Sequence, residues 1–126
     1  MIKNFREFEA GPDPFGVTWK VRFIWLQTAI SIRHSDSVDV KFLIDDGVES
    51  REKVIALMHP DLLALSRQSG RELTDGWCLK LAALHLKRMI ETGEDIEKTL
   101  VTMTPDDLQR ANAQLSAMAP APQPTL

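Results

Sequence analysis

The most informative pattern in the chain runs through residues 17–32. Val17, Trp19, Val21, Phe23 and Trp25 are apolar at odd positions, while Thr18, Lys20 and Arg22 are polar at even ones. This is the period-two signature of a strand with one face on a core. Beyond Trp25 the phase inverts, and Ile24, Leu26, Ile30 and Ile32 put apolar side chains at even positions. An unbroken strand over residues 17–33 would be roughly 55 Å long at about 3.3 Å per residue, too long for a small domain. A bulge, bend or break near Leu26–Ala29 is therefore expected, exchanging the two faces.

The next strand is more regular: Val38, Val40, Phe42 and Ile44 alternate with Asp39, Lys41 and Asp45, interrupted only by Leu43. His34-Ser35-Asp36-Ser37 supplies the hairpin loop between the two, because short polar side chains bond their own backbone. Asp45-Asp46-Gly47 marks a second turn. The β-branched pair Val54-Ile55 and the need for a hairpin partner favour a third strand over residues 51–58, with a helix as the alternative.

Pro60 suits the first turn of a helix, Asp61 complements its dipole, and Gly70 ends it. A longer helix over residues 77–92 is capped by Thr74 or Asp75 and stopped by Gly93. Its wheel is apolar around most of its girth, so it must be covered on more than one side, either as the central helix of the domain or partly by another subunit. Thr99-Leu100-Val101-Thr102, inside the ambiguous stretch 96–103, has strand composition. Thr104-Pro105-Asp106-Asp107 starts a last helix with Leu108, Ala111, Leu115 and Met118 on one face.

The expected fold is α+β: an antiparallel β-meander of three or four strands packed against two or three helices, forming a single domain over residues 1–118. Residues 119–126, rich in proline and alanine, hold too little to bury and are expected to be a disordered tail.

Composition narrows the class without naming a chemistry. With 126 residues, 44% of them hydrophobic and 26% charged, the chain has enough apolar content for one core. The lone Cys78 excludes an internal disulfide framework and suits a reducing compartment. No apolar run approaches the about 18 residues of a membrane span, and the first residues do not read as a signal peptide, so a cytoplasmic location is expected. The net charge is −3, with five acids against two bases in residues 93–126. A phosphate-neutralising stripe is lacking, the nearest set being Arg67, Arg71, Lys80, Lys87 and Arg88 interrupted by Glu72 and Asp75.

Catalytic and metal patterns are also missing. The histidines at 34, 59 and 85 have no ligand spacing, and the single glycines form no phosphate cradle, so no metal or cofactor is expected. His34-Ser35-Asp36 is turn-forming, since adjacent residues point apart where a triad needs mutual contact. Cys78 and His85 share a helix face but stand about 10 Å apart along its axis, too far for a thiol–imidazole pair.

What remains is the aromatic skew: seven of the eight aromatics lie in the first third, on a segment with two partly apolar faces. The function this pattern suggests is a non-catalytic protein–protein interaction or assembly module. It would self-associate as a homodimer, or take a protein partner, through Trp19, Phe23, Trp25, Ile30 and Ile32. A competing explanation is that Phe5, Phe8 and Phe15 fold back over one face within the chain. Two other functions stay open: a small-molecule binder or minor enzyme with a pocket built on His34, His59 and His85, and weak nucleic-acid contact through Arg67, Arg71, Lys87 and Arg88.

Overall fold

The computed structural model describes residue 2, residues 4–29 and residues 36–118. The elements run β1 (Glu7–Ala10), β2 (Trp19–Ala29), β3 (Ser37–Asp45), β4 (Ser50–Met58), α1 (His59–Ser69), α2 (Asp75–Thr92), β5 (Leu100–Met103) and α3 (Pro105–Met118). The fold is α+β, as the patterning implies, but the sheet has five strands rather than three or four, in the order β1-β2-β3-β4-β5. Strands β1 to β4 form an antiparallel meander, and β5 joins β4 in parallel. His34 and Ser35 of the expected hairpin loop lie outside the described residues, as does the tail 119–126, and Ser37 already belongs to β3.

Side chains that satisfy backbone groups set the helix ends. The Thr74 hydroxyl accepts from the Trp77 N–H at 3.1 Å, opening α2 two residues before the expected start. Gly70 and Gly93, at φ of 72° and 76°, close α1 and α2 in the left-handed region that glycine occupies without cost. At the start of α3 the Asp107 N–H donates to the Thr104 hydroxyl at 3.1 Å, and the Thr104 N–H donates to the Asp107 carboxylate at 3.0 Å.

The phase inversion in β2 proves to be a bulge, placed earlier than the sequence implied. Phe23 pairs with Phe42 and Trp25 with Lys41, which leaves Ile24 as the extra residue, 41% exposed. Apolar pairs Val21–Ile44, Phe23–Phe42 and Leu26–Val40 therefore all face the helices. Without the bulge, Leu26 would have turned away from Val40. The two apolar phases of the sequence are thus largely one buried face read through a one-residue offset. The N-terminal aromatics do not fold back over the opposite face: Phe8, in β1, pairs with Val21 on the helix side, Phe5 packs against the same core with the Lys80 ammonium of α2 5.8 Å from its ring centre, and Phe15 is 91% exposed.

Helix α2 covers this face. Eleven of its residues are buried, which is why its wheel carries so little polarity, and α3 packs along its other side. The Trp77 indole N–H donates to the Asn112 side-chain oxygen at 3.2 Å, satisfying both polar groups inside the α2–α3 contact.

One buried charge pins the chain where it returns to the sheet. Lys53 in β4 is 2% exposed, and its ammonium donates to the carbonyls of Ile96 and Lys98, the latter at 2.7 Å. Beside it the Val54 N–H donates to the Thr99 carbonyl at 2.8 Å, so the segment before β5 is held by both side chain and backbone.

Candidate functional site

The strand register arranges the side chains of the open face, opposite the helices, into rows. Trp25, Lys41, Val54 and Leu100 form one row straight across β2, β3, β4 and β5. Above it lie Glu7, Arg22, Leu43 and Glu52; below it lie Gln27, Asp39, Ala56 and Thr102. The central row is the apolar one. Leu100 is 59% exposed, and Trp25 and Val54 are half-buried. The Lys41 ammonium sits 5.6 Å from the Trp25 ring centre and 2.9 Å from the Glu52 carboxylate. Its aliphatic stem therefore completes the row while its charge is directed to one flank.

Of the five residues first singled out for an interface, the three described ones do not share this face. Trp19 is buried and Phe23 half-buried on the side covered by helices, because they precede the bulge. Only Trp25, which follows it, lies on the open face. Ile30 and Ile32 lie outside the described residues. The extra residue Ile24 puts Trp25 on the face opposite Trp19 and Phe23, although all three occupy odd positions in the sequence. Val54 and Leu100 were missed because each stands in an otherwise mixed stretch, and only pairing brings them into line with Trp25.

The three histidines form no common pocket among the described residues. His34 lies outside them. His59 opens α1, and its backbone N–H donates to the Asp36 carbonyl at 2.8 Å. His85 lies in the middle of α2, in a narrow cleft against Asp107 and Arg110 of α3. Burial holds its imidazole below the ordinary value of 6.5, with Arg110 and Arg88 acting in the same direction and Asp107 and Glu94 opposing them. Cys78 is buried, and burial pushes its thiol up to about 11, so it stays protonated and unreactive near neutral pH. Among the described residues there is no group of three or more potential metal ligands.

A depressed histidine makes stability depend on pH in a defined direction. Between the folded-state value and 6.5 the unfolded chain binds the proton that His85 refuses. The contribution is therefore complete above 6.5 and declines as pH falls through that value. Replacing His85 by glutamine is expected to flatten this acid-side decline in urea-unfolding free energy measured from pH 8 to pH 5; an unchanged slope would assign the decline elsewhere.

A second, wider cleft of about 300 Å³ lies between α2 and α3. Leu84, Ala117, Met118 and the N-terminal Ile2 give it apolar walls, and Lys87, Arg88, Glu91 and Gln114 complete its lining. Of the bases of the nucleic-acid reading, Arg71 donates to Ser116 of α3 at 3.3 Å, and Lys87 pairs with Glu91 at 2.8 Å. Among the described residues no helix is long and apolar enough to cross a membrane. Comparison of the chain with protein-family models, with curated proteins and with solved structures finds no match.

Proposed function

We propose that this chain is a non-catalytic assembly module that pairs with a second copy of itself through the open face of its sheet, with Trp25 at the centre of the contact. The observation that carries this reading is the apolar row Trp25–Lys41–Val54–Leu100 on the face turned away from the helices. An antiparallel sheet with one solvated face ordinarily shows water a polar surface there. A half-buried tryptophan at one end of a row and an exposed leucine at the other are the kind of area that a contact removes from water.

Size and charge support the same reading. At about 4.8 Å between strands and about 3.3 Å per residue, three long strands and two short edges present roughly 600 Å². A standard interface buries about 800 Å² per partner, so this contact falls at the small end of specific interfaces, the class of weak, reversible pairing. A two-fold axis along the row exchanges the flanks, setting Lys20 and Arg22 of one copy towards Asp39 of the other.

Sedimentation equilibrium over tens to hundreds of micromolar tests this. The unmodified chain is expected to shift from monomer to dimer across that range. Trp25→Lys, which sets a second ammonium beside Lys41, is expected to stay monomeric with its melting curve intact. A chain that stays monomeric throughout overturns the reading.

A further inference from the structure

The cleft between α2 and α3 is separate from the sheet face. We propose that it is a binding site for a small anionic amphiphile, a short apolar body carrying a carboxylate, with the head on Arg88 and the body along Leu84.

The volume sets the size of the ligand. About 300 Å³ is at the low end of small-molecule sites, which run from about 300 to 1,000 Å³, so the body is short. The walls set its polarity: Leu84 from α2, Ala117 and Met118 from α3, and Ile2 from the N-terminal segment offer aliphatic contact and no charge.

The rim sets the sign of the head. Lys87 and Glu91 neutralise each other, with the ammonium 2.8 and 2.9 Å from the two carboxylate oxygens. In the adjoining narrow cleft Arg110 is likewise held by Asp107 at 3.2 Å. Arg88 lines both clefts and is differently placed: its ion-pair contact among the described residues, to Glu94, spans 3.9 Å, beyond hydrogen-bonding range. Among the described residues its guanidinium makes no hydrogen bond, which keeps its donors for a ligand, and that planar fork matches a carboxylate bidentately. Gln114, which also lines both clefts, can add an amide N–H from the opposite helix. A cationic head would meet Arg88 as repulsion, and a neutral one would leave its donors unused.

The test is an amide-resolved NMR titration of the full chain with sodium octanoate, and in parallel with octylammonium chloride. Octanoate is expected to give saturable shifts at Leu84, Arg88, Gln114 and Ala117, and octylammonium none. Arg88→Glu, at a partly exposed position, weakens octanoate by about tenfold or more, the loss of a charge-assisted pair. Ala117→Trp fills the cleft from the exposed side of α3 and abolishes binding; if it fails to fold, Arg88→Glu alone decides. Trp25→Lys binds octanoate unchanged, which separates this site from the sheet face. Equal shifts with octylammonium, shifts confined to β2–β4, or unaltered affinity in Arg88→Glu would each overturn the proposal.

Discussion

Replacing Lys53 by methionine is expected to lower the unfolding free energy by about 2–4 kcal/mol, with alanine costing more, because two carbonyls lose their donor at once. Methionine keeps most of the apolar stem and fills the same space, so its cost isolates the polar role. The Ile96 and Lys98 carbonyls face a position only 2% exposed, and a methyl group there gives them no partner. The loss is local in character. Lys53 and the Val54–Thr99 bond are what bind the segment before β5 to the sheet. Hydrogen exchange at Val101 and Met103 should therefore accelerate more than exchange at Val40 or Phe42 in the centre of the meander. Urea unfolding gives the total, and a cost below about 1 kcal/mol for methionine would mean that water reaches those carbonyls.

Lys53 also marks a limit of what the sequence discloses. A lysine in a strand beside Arg51 and Glu52 reads as solvated, and nothing local says that a turn more than forty residues later will place two carbonyls over it. The same holds for β5. Its composition made it visible as a strand, but its parallel pairing with β4 follows from the path of α1 and α2 between them. Strand β1 is four residues long, with Phe8 and Ala10 its only inward side chains, too short for an alternating pattern to stand out. The features that were legible are those decided within a few residues. Thr74, Gly70, Gly93 and the Thr104–Asp107 pair set helix ends by hydrogen bonds and backbone angles that depend on little else. Strand β3 was legible because its alternation is nearly unbroken. The candidate interface was legible only in part: the aromatic skew marks β2, but Trp19 and Phe23 serve the core, and of the described candidates only Trp25 lies on the open face.

The position of the bulge decides that division, and it can be tested by deletion. Phe23-Ile24-Trp25-Leu26 is an apolar run in which composition marks no residue as the extra one. The pairing partners Phe42 and Lys41 identify Ile24. Deleting Ile24 leaves Phe23 towards the helices, Trp25 outward and Leu26 inward, which is a regular alternation. The side chain removed is 41% exposed, so the shortened chain is expected to fold with a stability within about 1 kcal/mol of the parent. Deleting Arg22 from the same strand has the opposite consequence. Val21 and Phe23 become consecutive and cannot both face the helices, so one half of β2 must turn its apolar set outward. If the half before the deletion turns, Trp19 and Val21 leave the core; each is worth about 1.5–3 kcal/mol of burial, and the β1 pairing is lost with them. That approaches the about 5–15 kcal/mol that holds a whole domain folded, so the Arg22 deletion should be largely unfolded by circular dichroism. Were the face exchange at Leu26–Ala29 instead, the Ile24 deletion would drive Trp25 and Leu26 to the wrong faces and fail as the Arg22 deletion does. If the Ile24 deletion folds, it also retains Trp25 on the open face, and self-association through that face should survive in it.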